Sequence, residues 1–74
     1  MKMVLAITNS LTYDIRLITC KTKEEAVRIM KKIFDNYLVG NDYDSNNTFF
    51  DEDEGYAQIV SELEQIEFRI GQLK

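Results

Sequence analysis

Histidine is absent from the chain, and cysteine occurs once. Without histidine the commonest general acid–base catalyst is missing, and a lone cysteine without histidine offers neither an activated nucleophile nor a zinc site. No serine lies in a nucleophile-elbow context, and no glycine-rich sequence could cradle a phosphate group. These absences predict a protein that is not an enzyme and that holds no cofactor.

Long apolar segments are also lacking, since no stretch reaches the roughly 18 uncharged residues that span a bilayer. The apolar stretch 1–7 runs into a polar turn without the small-residue cleavage site of a signal peptide. Cys20 lies in an apolar run, which is typical of a buried thiol, and it cannot form a disulfide within the chain. We therefore expect a soluble, cytoplasmic protein in which residues 1–74 form one domain.

Charge is distributed unevenly along the chain. Residues 1–40 carry seven basic and four acidic side chains, whereas residues 41–74 carry two basic and nine acidic ones. An excess of carboxylates disfavours direct binding to nucleic acid, because contacts with phosphate need basic side chains. It favours a basic partner surface or a cation, or serves solubility alone. No membrane partner is expected.

The local pattern predicts two strands followed by a helix. Apolar residues alternate over 2–8 and 13–20 and are rich in strand formers. Thr22 begins a Thr-Lys-Glu-Glu capping box, and the apolar residues after it fall on one stripe, which predicts a helix over 23–38. Gly40 is expected to end this helix in the left-handed conformation.

The C-terminal part of the chain fits two patterns. Apolar residues recur there at helical spacing, but they also alternate as in strands. We choose a hairpin of 56–61 with 65–72, and we interpret 41–55 as a long loop. The fold class is then α+β, with a ββαββ order and a four-stranded antiparallel sheet that has one helix packed on one face. The order of the strands stays open, and the uncovered face is expected to hold Asp14, Arg16, Glu67 and Arg69.

The loop contains oxygen-bearing residues at the spacing of a calcium-binding loop. Positions one, three, five, seven and twelve of that pattern are Asp42, Asp44, Asn46, Thr48 and Asp53. Asn47 replaces the glycine that makes the sharp turn, and an aspartate replaces the bidentate glutamate. These departures favour a solvated loop rich in Asn and Asp. A metal-stabilised structural or sensor domain is therefore our second hypothesis.

Two phenylalanines followed by four consecutive acidic residues form the other notable motif of the loop. Its members are Phe49, Phe50, Asp51, Glu52, Asp53 and Glu54. Four adjacent carboxylates repel one another and cannot be buried, so an aromatic anchor with an acidic rim would suit docking on a basic protein surface. The alternative is that the phenylalanines complete the core and the acids are simply solvated.

The small size, the ββαββ pattern and the Phe-Phe-Asp-Glu-Asp-Glu segment together resemble small acidic proteins of phages and mobile elements, including anti-CRISPR proteins. This resemblance implies an inhibitor that mimics DNA by presenting carboxylates to a basic host protein, such as a nucleic-acid-binding protein. Our first hypothesis is therefore a non-enzymatic protein-binding module. A third hypothesis is a homo-oligomeric structural domain that forms a weak homodimer through its sheet.

Overall fold

An antiparallel sheet of five strands with one helix makes up residues 2–73, which are the residues that the computed structural model describes. The strand order across the sheet is β2-β1-β5-β4-β3. The α+β class is thus confirmed, but the sheet has five strands where we predicted four. The elements are β1 (Lys2–Asn9), β2 (Asp14–Cys20), α1 (Lys23–Gly40), β3 (Phe49–Asp51), β4 (Tyr56–Val60) and β5 (Gln65–Leu73).

The fifth strand, β3, lies inside the segment that we predicted to be loop. It pairs with β4 so that Phe49 lies opposite Gln58 and Asp51 lies opposite Tyr56. Three residues are too few to show a convincing period of two, which explains why the sequence pattern did not reveal this strand. The hairpin predicted for the C-terminal part is present as β4 and β5.

The helix begins where the sequence predicted, because the Thr22 hydroxyl accepts a hydrogen bond from the Glu25 backbone amide at 3.1 Å. Its end differs from our prediction. Gly40 remains helical without a positive φ, and Asn41 follows in extended backbone with φ −137°. The Asn41 side-chain amide donates to the Tyr37 carbonyl at 2.8 Å and thereby satisfies a carbonyl of the last turn. A polar side chain therefore caps this helix end in place of a left-handed glycine.

The core lies between α1 and one face of the sheet. Phe34 on the helix makes edge-to-face contacts with Phe50 and Phe68, with ring centroids 5.3 and 6.1 Å apart. These aromatic pairs join the helix to β3 and β5. The buried members of the core cluster are Leu5, Met30, Phe34, Ala57, Ile59, Ile66 and Phe68.

The uncovered face, which we call the open face, differs from the prediction on β2. Residues opposite each other in a ladder share a face, and Arg16 lies opposite Ile7, which packs against the core. Arg16, and Asp14 with it, therefore project on the helix side, where both stay exposed. Ile15 and Leu17 occupy the open face instead, because Ile18 and Cys20 take the positions under the helix. The prediction is correct for Glu67 and Arg69 on β5.

Candidate functional site

The four consecutive carboxylates lie where β3 turns into β4, and we call Asp51, Glu52, Asp53 and Glu54 the acidic turn. The Asp51 carboxylate accepts a hydrogen bond from the Glu54 backbone amide at 3.1 Å, which fixes the turn. The Lys23 ammonium donates to the Asp53 carbonyl at 2.7 Å and ties the turn to the start of α1. Within residues 2–73, no basic side chain lies within ion-pair distance of these four carboxylates. Hydrogen bonds thus hold the acidic turn, and its carboxylates have no ion-pair partner among the described residues.

The two phenylalanines of the motif point to opposite faces of the sheet, as consecutive strand residues must. Phe50 packs into the core against Phe34, where it completes the end of the core. Phe49 lies on the open face with 46% of its surface exposed. The centroid of its ring is 5.5 Å from that of the Tyr56 ring, and the Arg69 guanidinium lies 4.9 Å from the Tyr56 ring centroid. Phe49 alone is therefore placed to act as a surface anchor.

Asp53, the last residue of the predicted calcium loop, lies far from the other predicted ligands. The Asp44 backbone amide donates to the Val60 carbonyl at 2.7 Å, which places Asp44 at the end of β4. Asp53 precedes Tyr56 at the opposite end of that five-residue strand, a separation of about 17 Å along the chain direction. In the described residues, no group of three or more acidic, cysteine or histidine side chains could hold a metal ion. The geometry does not support the metal hypothesis with this ligand set.

The polar loop before β3 is held by its own side chains. The Asp44 carboxylate accepts from the Asn47 side-chain amide at 2.7 Å and from the Asn46 backbone amide at 3.0 Å. These hydrogen bonds hold the pKa of Asp44 below its usual value. The Thr48 hydroxyl accepts from the Val60 backbone amide at 3.1 Å, so it extends the pairing with β4. The Asn and Asp residues of the loop thus serve local structure.

A second acidic feature, which the sequence reasoning missed, lies at the end of α1. It is an open cleft of about 630 Å³ whose walls include Tyr37, Asp42, Glu62, Leu63 and Glu64. The carboxylates belong to distant segments of the chain, and they approach one another only because α1 and the β4–β5 turn end at the same side of the sheet. Only a prediction of that pairing could have revealed the cleft.

The Glu64 carboxylate accepts hydrogen bonds from the Tyr37 hydroxyl and from the Asn9 side-chain amide, the latter at 3.1 Å. Burial, and then the neighbouring Glu64, raises the pKa of Tyr37. The stability that depends on a neutral Tyr37 is therefore fully present below the pKa of tyrosine in the unfolded chain, and it is lost as the pH rises through the raised pKa of the folded protein. The cluster joins α1, β1 and the β4–β5 turn.

We expect Tyr37→Phe to lower the free energy of unfolding by about 1–2 kcal/mol, because a half-buried carboxylate loses a hydrogen-bond donor. Chemical denaturation at neutral pH measures this change. Tyr13→Phe is the control, since Tyr13 is exposed, and it should leave stability unchanged. Equal effects of the two substitutions would show that the Tyr37–Glu64 bond contributes nothing.

Cys20 is buried, as the apolar sequence around it predicted. Burial, with a smaller contribution from Glu25, raises the pKa of its thiol. A thiol with a raised pKa is a poor nucleophile, since the thiolate is the reactive form. Cys20 therefore packs as a small apolar side chain in this fold.

Comparisons of the chain with protein-family models, with curated proteins and with solved structures find no match. No helix within residues 2–73 combines the length and the apolar character that crossing a bilayer requires. Inferences about function consequently rest on the surfaces of the molecule.

Proposed function

We propose that this chain is a non-enzymatic module that binds a basic surface of a partner protein through its acidic turn and Phe49. The observation that carries the proposal is the exposed Phe49 ring, which contacts the Tyr56 ring. The same hairpin holds four carboxylates that have no ion-pair partner among the described residues. An aromatic ring beside unpaired charge combines the two components of a specific interface.

The two components act at different stages of binding. Carboxylates on consecutive residues add their fields, which attract a basic surface over roughly a Debye length, about 8 Å at physiological salt. Phe49 then loses water against the partner and supplies contact energy that charge alone does not give. Phe50 has no part in this, because it packs in the core.

In its more specific form, the proposal is that the partner surface normally binds nucleic-acid phosphates. The carboxylates of the acidic turn would then occupy phosphate positions, and the chain would act as a DNA-mimicking inhibitor of the kind found among anti-CRISPR proteins. Supporting this form are the excess of acidic residues in 41–74 and the resemblance to such proteins in overall character. Duplex DNA should compete with the chain for the partner, and a partner that binds both at once would contradict this form.

Charge reversal of the acidic turn is the direct test of the site. The variant combines Glu52→Lys, Asp53→Lys and Glu54→Lys. It keeps Asp51, because the Asp51 carboxylate accepts a hydrogen bond from the Glu54 backbone amide. A partner is captured with the wild-type chain from a bacterial lysate at low salt, and rate constants are measured by surface plasmon resonance. We expect the variant to associate at least tenfold more slowly, with a flatter salt dependence.

The matched control reverses three exposed carboxylates elsewhere, namely Asp35, Asp42 and Glu62, and changes the net charge equally. It should retain most of the association rate. Phe49→Ala should instead raise the dissociation rate, because it removes contact area and leaves charge unchanged. Equal loss of binding in both charge variants would refute the assignment of the site to the acidic turn.

A further inference from the structure

Strand β2 forms one edge of the sheet and pairs only with β1. Its register with β1 runs without interruption from Met3 opposite Cys20 to Asn9 opposite Asp14, so no bulge interrupts it. The strand contains no proline, and its only charged residues are Asp14 and Arg16. Prolines and bulges commonly protect edge strands, and a strand that has neither keeps a straight edge to which another strand can pair.

The side chains of this edge on the open face are large and apolar. Ile15 is 71% exposed and Leu17 is 66% exposed, and they project on the same face next to Thr19. These two aliphatic side chains are mostly exposed, and a strand added at the outer edge of β2 would cover them.

We propose that two copies of the chain associate through antiparallel pairing of their β2 strands, with the two-fold axis at Leu17. In this register Leu17 lies opposite Leu17 of the second copy, and Ile15 lies opposite Thr19 of the second copy. All seven residues of β2 take part, because Asp14 then faces Cys20 of the second copy. The two sheets join into one continuous sheet with both helices on the same side.

The distribution of charge along β2 favours this arrangement. Antiparallel pairing about Leu17 places Asp14 opposite Cys20 and Arg16 opposite Ile18 of the second copy, so like charges are not directly opposed. Parallel pairing in register would instead place Asp14 opposite Asp14 and Arg16 opposite Arg16. An axis at Arg16 would oppose two guanidinium groups, and an axis at Ile15 would pair only three residues of the strand. The axis at Leu17 avoids both disadvantages.

The area of the contact predicts a weak dimer. Seven strand residues span about 24 Å, and the shortest extent of the molecule is 18 Å. An interface of these dimensions covers about 430 Å² on each copy, roughly half of the area in a standard stable complex. We therefore expect weak association that depends on the protein concentration.

A disulfide between two copies of the variant Leu17→Cys tests the register, with the native Cys20 retained because it is buried. Directly opposed residues in an antiparallel pair lie about 4.5–5.5 Å apart at Cα, which is within the range of a disulfide. The control is Ile15→Cys, at a residue with similar exposure on the same face. In the proposed dimer, the two residues 15 lie about 14 Å apart along the strand direction. We expect rapid oxidation to a covalent dimer for Leu17→Cys and at least tenfold slower oxidation for Ile15→Cys. Equal rates, or faster crosslinking at residue 15, would overturn the proposal.

Two lysine variants distinguish edge pairing from stacking of open faces. Leu17→Lys should give a monomer in light scattering at millimolar protein, whereas Thr8→Lys, on the adjacent strand of the open face, should leave the dimer intact. Loss of the dimer in both variants would favour face-to-face stacking and overturn the edge model. A wild-type chain that is monomeric at millimolar concentration would also overturn it.

Discussion

Phe68→Ala is expected to lower the free energy of unfolding by about 3–5 kcal/mol, the range for removing a buried aromatic side chain. Phe68 is 1% exposed and lies on the central strand β5, opposite Ile7 on one side and Ala57 on the other. Its ring also contacts Phe34 across the core. A chain of 74 residues has a total stability of about 4–11 kcal/mol, so this one substitution removes a large share of it.

Urea denaturation followed by circular dichroism measures the loss. Leu63→Ala is the control, since Leu63 is 79% exposed on the β4–β5 turn, and it should change stability by no more than about 0.5 kcal/mol. If the midpoints of the two variants shift equally, Phe68 does not occupy the centre of the core.

Gly55→Ala should be the second most damaging substitution, with a loss of about 1–3 kcal/mol. Gly55 has a φ of +64°, and a Cβ atom at this position would lie 3.1 Å from the Cβ of Ile70. The backbone cannot shift freely, because the Gly55 carbonyl accepts a hydrogen bond from the Ile70 amide at 2.8 Å. Strain and crowding therefore act together at this turn.

Gly40→Ala is the matched control and should have the opposite sign. A Cβ at Gly40 meets no atom within 4 Å, and the residue is helical, so alanine should stabilise the fold by up to about 1 kcal/mol. Thermal unfolding of both variants measures the two shifts. A destabilised Gly40→Ala or an unaffected Gly55→Ala would contradict the backbone conformations described above. Because Gly55 closes the acidic turn, Gly55→Ala should also weaken binding of the partner proposed here.

The elements with strong local signals could be predicted from the sequence. The helix shows a cap at Thr22 and an apolar stripe of about three turns, and β1 and residues 66–70 of β5 show a period of two. The strand β3 carries no such signal, because its pairing with β4 and the contact of Phe50 with Phe34 define it. Strands this short depend on tertiary contacts, which a local pattern does not contain.

The orientation of β2 shows a different limit of sequence reasoning. Its residues offer two apolar sets, Ile15 with Leu17 and Ile18 with Cys20, and the strand cannot bury both on one face. The second set lies under the helix because α1 starts three residues after β2 and covers that end of the strand. The face of β2 that is buried thus depends on where the helix packs. The sequence alone does not reveal this, because both sets are apolar.

The candidate site was located only in part by its sequence motif. Consecutive acids predicted a solvated segment, and the acidic turn is exposed except at Asp51. The separation of Phe49 from Phe50 follows at once when the segment is known to be a strand. By contrast, the contact of Tyr37 with Glu64 joins residues far apart in sequence and needs the complete fold.

The central position of β5 between β1 and β4 has a consequence for the synthesis of the protein. The β1–β2 hairpin and α1 are made before β5, yet the other side of β1 has no partner until Gln65–Leu73 has been made. The β3–β4 hairpin likewise joins the sheet only through β5. Folding therefore waits for the last strand, and pairing of such distant segments is slow. A ribosome that stalls before residue 65 would leave two separate hairpins with exposed apolar edges, which proteases and chaperones recognise.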